Sequence, residues 1–532
     1  MSGFSFSHSE RTASLKKLEP SSEPFDVCVV GGGITGAAIA RDAALRGWKV
    51  LLVEKDDFAS GTSSRSSKLV HGGVRYLEQY EFGLVAESTR ERARLWKLAP
   101  QLVTPLGFLF PAFKTSRVPL WKLNIGLWLY DLLAVFRTPS LHKKYSRAQT
   151  MKIEPALKSE TLTGSVFYWD GMTDDALLTL ANIIDAKQAG ATPLSRVALE
   201  SVEWNASVAT DAQASHKIQL RDKIKGTSFS VRARIVVSAT GPWTDELLKI
   251  TGESPARPLL APTRGSHIVV SAKKFPATYA VVMMHPQDGR VLFVIPWGET
   301  TVIGTTDIFD SASPDKVAID ANEVKYLLDA AKFYFPKNFL VPADVLSTWS
   351  GLRPLLAPPD EASASQVSRE HHIEWVNPGM LVIAGGKLTT HREMAEQAIE
   401  KIYAATAHWN SVPGGAYRAT ETHEKPLPLF PERNTDPQAA LGTSEGARLS
   451  LQDVVTICRT EMVLTIEDLL VRRTQIFYKE PRNGWDLLPK LRETLCRELD
   501  WDSMEWDKQV ASYRTYLERN VLTPLRRELS LK

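Results

Sequence analysis

The stretch that decides the fold is residues 27–54, VCVVGGGITGAAIARDAALRGWKVLLVE. It begins with an apolar run at 27–30, enters a glycine turn, and continues with a helical pattern at about 36–46. Gly47 stops this helix, and a second apolar run follows at 50–53. The change from strand period to helix period and back predicts a βαβ unit, which opens a doubly wound parallel sheet.

The glycine turn carries a dinucleotide-binding pattern. GGGITG at 31–36 has the spacing G-x-G-x-x-G, directly after a strand and at the start of a helix. The first glycine permits a tight turn, the second lets a pyrophosphate approach the backbone, and the third lets the helix pack closely. The helix N-terminus then faces the phosphates, and Glu54 accepts hydrogen bonds from a ribose. The alternative is a turn that only connects strand and helix. The predicted binding residues are Gly31, Gly33, Ile34, Thr35, Gly36 and Glu54.

Composition and charge argue against several classes of protein. The 532 residues include 64 Lys and Arg against 61 Asp and Glu, a balance too even for a nucleic-acid-binding face. The cysteines Cys28, Cys458 and Cys496 form no CxxC pair, which favours a reducing cytosol and no metal site. The apolar stretch 123–136 is shorter than a membrane-spanning helix, so no transmembrane segment is expected.

Further patterns predict several domains. Strand-like runs at 235–238 and 380–383 lead into glycine turns, so the nucleotide-binding domain is expected to be discontinuous. Alternating runs at 266–270, 291–295 and 301–304 predict an antiparallel sheet that covers a substrate. The expected divisions are a disordered tail (1–24), a Rossmann-like nucleotide-binding domain (25–105, 150–245 and 350–410), a substrate-binding domain (106–149 and 246–349), a linker (411–445) and a C-terminal helical cap domain (446–532).

A polar segment at 62–77 reads TSSRSSKLVHGGVRYL. Its hydroxyls and backbone amides can line a diphosphate and the edge of a flavin. His71 and Arg75 lie within one turn of each other and can face one cavity. The alternative is a solvated serine-rich loop. The predicted cofactor-binding residues of this segment are Thr62, Ser63, Ser66, Ser67, Lys68, Leu69, His71, Gly72 and Gly73.

This segment resembles the signature of the FAD-dependent glycerol-3-phosphate dehydrogenases, a branch of the D-amino-acid-oxidase-like flavoproteins. A second segment, GGKLTTHR at 385–392, is similar to the family's late FAD-contacting turn, although the family usually has Tyr where this chain has His391. Shorter matches follow in the family's order at 240–243, 264–267, 304–307 and 350–355, and 467–474 resembles its helical cap. The resemblance adds FAD contacts at Thr240, Gly241, Gly386, Lys387, Leu388 and Thr389.

The resemblance implies oxidation of sn-glycerol 3-phosphate to dihydroxyacetone phosphate, with the hydride passing from C2 to flavin N5. Arginines suit the phosphate dianion because they make bidentate, charge-assisted hydrogen bonds. A base must take the C2 hydroxyl proton, and His71 is the first candidate, with His267 in reserve. Arg353 can instead stabilise the developing alkoxide, and Lys387 adds charge near the flavin. The expected catalytic residues are His71, Arg353 and Lys387, and the expected substrate-binding residues are Arg75, Tyr76, His267, Arg353 and Arg369.

The electron acceptor and the location of the protein follow less directly. Dehydrogenases of the family pass electrons to membrane quinone, whereas its oxidases use oxygen. Residues 118–130 have the Trp, Leu and flanking cations of an interfacial helix, and the alternative is a buried helix of the substrate domain. A cytoplasmic protein, peripheral on the inner face of the membrane, is expected, and a homodimer is compatible with the resemblance. The competing functions are a glycerol-3-phosphate oxidase that uses oxygen, a related flavin oxidase of an amine or 2-hydroxy acid, and a catalytically silent flavoprotein.

Overall fold

The computed structural model describes residues 4–18, 23–211, 214–310, 312–357, 371–407, 409, 414–433, 440–442 and 448–521. Its strands are β1 (Phe25–Val30), β2 (Val50–Glu54), β3 (Leu69–Val70), β4 (Val103–Phe113), β5 (Lys143–Ser146), β6 (Leu162–Thr173), β7 (Thr192–Ser195), β8 (Val197–Glu203), β9 (His216–Asp222), β10 (Thr227–Ser238), β11 (Thr263–Ser271), β12 (Ala280–Met284), β13 (Val291–Trp297), β14 (Thr300–Gly304), β15 (Ile308–Phe309), β16 (Val345–Arg353), β17 (His371–Asn377) and β18 (Met380–Gly385). Its α-helices are α1 (His8–Leu18), α2 (Ile34–Leu45), α3 (Phe82–Leu98), α4 (Leu120–Leu133), α5 (Arg147–Ile153), α6 (Asp175–Gln188), α7 (Thr244–Ile250), α8 (Ala321–Tyr334), α9 (His391–Thr406), α10 (Leu451–Thr460), α11 (Ile476–Lys479), α12 (Leu488–Leu499) and α13 (Ser503–Asn520).

The first sheet is the expected doubly wound one. Its order is β17-β18-β10-β1-β2-β7, and β1 pairs in parallel with both β2 and β10. The predicted βαβ unit at the amino end is therefore confirmed, with α2 as its crossover helix. The chain proceeds from β1 to β2 on one side and reaches β10 on the other, so the carboxyl ends of β1 and β10 flank a switch point. Ligands of open α/β sheets bind in this type of crevice.

The second sheet is mostly antiparallel and has the order β15-β11-β14-β13-β12-β4-β6-β3. The expected antiparallel sheet is therefore confirmed, and its role in covering a substrate stays a prediction. The long strand β6 pairs with β4 from Leu162↔Phe113 to Thr173↔Val103. The prediction that placed 150–245 wholly in the nucleotide-binding domain is thus wrong for β6, and β16 similarly joins β11. Alternating hydrophobicity shows that a strand is half-buried, but not which sheet it joins.

The C-terminal helices pack against the second sheet, as a cap would. The hydroxyl of Ser347 donates to the Tyr478 carbonyl at 3.2 Å, and that of Thr348 donates to the Asn520 carbonyl at 2.7 Å. The buried rings of Trp349 and Tyr478 meet at 5.2 Å between centroids. The helical interpretation of the C-terminal region is therefore confirmed for the residues described there.

The amino-terminal segment differs from its prediction as a disordered tail. Residues 4–18 are ordered and contain α1. The buried guanidinium of Arg11 donates to the Ser195 carbonyl at 2.8 Å and to Asp222 at 2.7 Å, and Phe6 is buried. The prediction was wrong because it relied on the polar composition of the segment, which does not reveal these long-range contacts. Residues 1–3 and 19–22 lie outside the described part of the chain.

Helix α4 is the apolar helix for which the sequence allowed two interpretations, an interfacial helix or a buried helix of the substrate domain. It buries Leu127, Tyr130 and Asp131. Its opposite face is exposed to between 53% and 63% and consists of Trp121, Ile125, Trp128 and Leu132. A helix buried in the substrate domain would not leave these side chains in solvent. Among the described residues, no helix combines the length and the apolarity required to cross a bilayer.

Candidate active site

A cavity of about 1000 Å³ lies between the two sheets and is called here the central cavity. Its wall combines the glycine turn, the polar segment that follows β2, the residues that follow β10 and part of the second sheet. The sequence-predicted residues in this wall are Gly31, Gly33, Ile34, Thr35, Glu54, Thr62, Ser63, Ser66, Ser67, Leu69, His71, Gly73, Arg75, Tyr76, Thr240, Gly241, His267, Arg353, Gly386, Lys387, Leu388 and Thr389. Segments far apart in sequence therefore converge on one cavity.

The glycine turn provides the bare backbone that a diphosphate requires. Gly31 has φ +111°, and a Cβ there would lie 2.5 Å from the Ala239 carbonyl oxygen. A Cβ at Gly36 would collide with the carbonyl oxygen of Gly31, so this glycine allows the close packing expected of it. A Cβ at Gly33 would meet only the Ser63 hydroxyl, at 3.1 Å, and otherwise enter open space in the cavity wall. The turn fits a diphosphate group.

Glu54 ends β2 beside this turn. Its carboxylate accepts hydrogen bonds from the backbone N–H of Gly32 at 2.7 Å and of Asp56 at 2.8 Å. Burial raises the pKa of the Glu54 carboxyl to about 7, against the opposing effect of these two hydrogen bonds. The carboxyl both holds the turn and reaches the cavity where a ribose is expected.

The turn at 71–73, which is predicted to contact the flavin, is fixed by a buried network of charged and polar side chains. The N–H of Gly72 donates to the Tyr130 hydroxyl at 3.0 Å and to Asp170 Oδ1 at 3.1 Å. Arg92 donates to the same carboxylate oxygen at 2.5 Å. Gly72 itself lies behind the cavity wall, because a Cβ there would collide with Tyr130 and Thr89. Sequence reasoning missed Arg92, Tyr130 and Asp170, since none belongs to a local motif.

Lys68 does not line the central cavity, contrary to its prediction as a cofactor contact. Its neighbours Ser67 and Leu69 line the cavity, whereas its own Nζ lies 2.7 Å from Asp175 Oδ1. The buried ammonium also lies over the rings of Trp297 and Trp349, 5.3 and 5.4 Å from their centroids. Asp175 additionally accepts the Ser66 hydroxyl at 2.7 Å. Lys68 therefore stabilises the segment from behind.

A cluster of guanidinium groups forms the substrate-sheet side of the cavity. Arg353 donates to Asp307 Oδ1 and to the Thr305 hydroxyl, each at 3.1 Å. Arg290, which the sequence did not suggest, lies in the same wall with its guanidinium 3.5 Å from Asp307 Oδ2. The space for the Arg353 side chain exists because Gly265 has no Cβ. Two cations thus flank one buried carboxylate at the cavity.

Lys387 and His71 join the two signature segments. The Lys387 ammonium lies 3.8 Å from the centroid of the Tyr76 ring and 3.4 Å from the Ser88 hydroxyl. The backbone N–H of His71 donates to the Thr389 hydroxyl at 3.2 Å. These contacts bring the predicted catalytic lysine and histidine to one end of the cavity.

Two further histidines have different roles. The Nε2 atom of His267 lies 2.8 Å from the Ser67 hydroxyl, and its ring stacks on Trp349. Burial, with Arg353 nearby, holds the pKa of His267 well below its usual value, so the imidazole is neutral at physiological pH. His391, whose role the sequence left open, donates from Nδ1 to the Leu388 carbonyl at 2.7 Å and fixes the turn at 388–390. Arg369 lies outside the described residues.

Comparisons with known proteins agree with this geometry. The family model of FAD dependent oxidoreductases matches residues 26–424. An aerobic glycerol-3-phosphate dehydrogenase of Staphylococcus aureus is 37% identical, over 94% of this chain and 94% of its own length. A glycerol-3-phosphate dehydrogenase of Synechocystis is 34% identical, over 94% and 97%.

A solved structure extends the agreement to the whole chain. The glycerol-3-phosphate dehydrogenase of Bacillus halodurans, crystallised with FAD, superposes with a TM-score of 0.74 at 28% identity and covers 98% of this chain and 99% of its own. FAD is the cofactor that the glycine turn and the polar segment fit. The chain belongs to the FAD-dependent oxidoreductases, within their glycerol-3-phosphate dehydrogenase family.

Proposed function

We propose that this protein oxidises sn-glycerol 3-phosphate to dihydroxyacetone phosphate with FAD as its redox cofactor. The observation that carries the proposal is the placement of Arg353, Arg290 and Lys387 in the wall of the same cavity as the glycine turn. A phosphate dianion that leaves water requires several charge-assisted donors. The homologues named for this substrate support the same choice.

Arg353 is the proposed phosphate-binding residue, assisted by Arg75. Its contacts with Asp307 and Thr305 restrict the guanidinium to one region of the wall. Asp307 offsets part of the positive charge, and Arg290 on its other side keeps the cluster cationic. An oxidase of neutral amino acids would require one cation for a carboxylate, whereas this cluster suits a dianion.

Hydride removal from C2 requires that the C2 hydroxyl lose its proton. His71 is the proposed base, because it lies in the wall and its backbone is fixed to the turn that carries Lys387. His267 stays neutral, and its Nε2 atom can orient the Ser67 hydroxyl, 2.8 Å away in the cavity wall, toward the substrate. Lys387 stabilises negative charge that develops on the substrate oxygen. FAD, held by the glycine turn and the polar segment at 62–73, would supply the acceptor for this hydride.

A membrane quinone is the proposed electron acceptor. The exposed face of α4 and the nearby Tyr80 and Phe82, 79% and 40% exposed, form an apolar surface. The same Tyr80, Phe82 and Ile125 belong to the wall of the central cavity, and Arg117 and Lys122 lie beside them. An apolar surface with flanking cations suits the interface of an anionic bilayer, and its continuity with the cavity gives a quinone a route from the lipid.

The test combines substrate and acceptor in one experiment. Under anaerobic conditions, glycerol 3-phosphate should bleach the flavin absorbance, while glycine, sarcosine and D-alanine should not. A soluble quinone added anaerobically should then restore the absorbance faster than air does. Bleaching by an amino acid but not by glycerol 3-phosphate would refute the proposed substrate. Recovery with air but not with quinone would refute the proposed acceptor and indicate an oxidase.

A further inference from the structure

The loop at 55–60 follows β2 and supports the glycine turn from behind. The backbone N–H of Ala59 donates to the Gly32 carbonyl at 3.0 Å. A Cβ at Gly32 would lie 2.7 Å from the Phe58 ring, so the ring and the turn are in direct contact. Lys55 and Ser60, at the two ends of the loop, line the central cavity. The position of this loop therefore sets the position of the backbone that receives the diphosphate.

Two arginines of the C-terminal helical unit bind the centre of this loop. Arg473 donates to both carboxylate oxygens of Asp57, each at 2.8 Å, and Arg472 donates to Asp57 Oδ2 at 2.5 Å. All three side chains are at most 2% exposed. Bidentate arginine contacts of this type fix direction as well as distance. None of the three residues lines the central cavity.

Asp57, Arg472 and Arg473 are called here the clamp, and neighbouring contacts extend it. Arg472 also binds Asp468 at 2.7 Å, and Asp468 accepts Arg196 at 2.8 Å. The backbone N–H of Arg196 in turn donates to the Asp56 carbonyl at 2.9 Å. The loop is thus held at adjacent residues, through one network that originates in the segment 468–473.

The amino-terminal segment also contacts the loop at 55–60. The Phe6 ring stacks on Phe58 with 5.9 Å between centroids. Its backbone N–H donates to the Arg459 carbonyl at 2.8 Å, and its carbonyl accepts the Met462 N–H at 2.7 Å. Phe6 is therefore hydrogen-bonded to the C-terminal unit and packs against Phe58 of the loop.

We propose that the C-terminal helical unit is a positioning element of the FAD site: Arg472 and Arg473, through Asp57, hold the loop 55–60 and the glycine turn in the shape that receives the diphosphate. FAD affinity then depends on residues that do not touch the cofactor. The inference concerns cofactor binding and is independent of which substrate or acceptor is used.

The test measures FAD affinity separately from stability. Apoprotein of Arg473→Gln should bind FAD with a Kd raised by roughly tenfold, within the usual range of coupling between sites. Arg473→Lys, which keeps the charge but loses the bidentate fork, should show an intermediate Kd. Arg459→Gln is the matched control, because Arg459 belongs to the same helical unit but forms its 2.7 Å ion pair with Glu498 at the surface. Its Kd should equal that of the wild type.

Melting temperatures of apoprotein and holoprotein complete the experiment. If the clamp positions the loop, the gain in melting temperature on adding FAD should be smaller in Arg473→Gln than in the wild type. A Kd within twofold of the wild type, together with a lowered melting temperature, would show that Arg473 has a structural role only and overturn the proposal. If Arg473→Gln does not fold, the isosteric Asp57→Asn is judged by the same criterion, and FAD titration of the folded Arg473→Lys decides if neither does.

Discussion

Replacing Gly33 by alanine should separate folding from cofactor binding. The φ of Gly33 is −76°, a value that alanine adopts without strain. The added Cβ would approach only the Ser63 hydroxyl, at 3.1 Å, and this hydroxyl can move by a few tenths of an ångström. The apoprotein should therefore fold with an almost unchanged melting temperature.

The cost should appear when FAD binds, because the methyl group occupies the surface on which the diphosphate lies. Overpacking of a tight site by a small group costs about 1–3 kcal/mol. Since each 1.4 kcal/mol corresponds to about tenfold in affinity, the Kd for FAD should rise by about 5- to 150-fold. A valine at the same position should prevent binding at micromolar FAD.

The assay is titration of the apoprotein with FAD, followed by quenching of flavin fluorescence, beside a thermal melt of each apoprotein. Gly83→Ala is the inert control, because nothing lies within 4 Å of a Cβ at this helical position. Gly36→Ala is the opposite control, since its Cβ collides with the Gly31 carbonyl and should destabilise the apoprotein itself. A wild-type Kd in Gly33→Ala would refute the assignment of this turn to the diphosphate.

Three further predictions concern the substrate, pH and the membrane. Arg353→Met should lower kcat/KM for glycerol 3-phosphate by the equivalent of about 2–5 kcal/mol with unchanged flavin content, and an unaltered kcat/KM would remove Arg353 from the phosphate site. Burial raises the pKa of Glu461 from 4.5 to about 7, so this carboxyl binds a proton more tightly in the folded than in the unfolded protein. The free energy of unfolding should therefore fall as pH rises from about 4.5 to 7. Glu461→Gln should remove this pH dependence, so that urea unfolding finds it up to about 3 kcal/mol more stable than the wild type at pH 8 but not at pH 4.5. An equal difference at both pH values would contradict this prediction. Trp121→Ser with Leu132→Ser should reduce cosedimentation with anionic vesicles while dye-linked activity is kept, and unchanged cosedimentation would exclude the exposed face of α4 from the membrane contact.

The nucleotide-binding half could be predicted because its signals are local. The two flanking strands and the glycines at 31, 33 and 36 lie within 30 consecutive residues. Each glycine is required by a different feature of the backbone. The two signature segments around His71 and Lys387 were found in the same manner, as contiguous patterns. The structure places both in one wall.

The residues that sequence reasoning missed are joined by distant contacts. Arg92 and Asp170 lie on α3 and β6, and Arg290 precedes β13, so no spacing within one element relates them to the cavity. Lys68 was misassigned because its neighbours Ser67 and Leu69 line the cavity, while its own side chain forms an ion pair with Asp175, 107 residues away. Such long-range pairing is not encoded in the hydrophobic period.

The contact between Asp57 and Arg473 joins residues 416 positions apart in the chain. At the usual rate of about 5–20 residues per second, a ribosome needs about 20–80 s after Asp57 to reach Arg473. During this time the first βαβ unit can form its sheet, but the loop behind its glycines has no arginine partner. We therefore expect the nascent chain to acquire its flavin only late in translation or after release, so that ribosome-bound fragments ending before residue 473 should retain little of it.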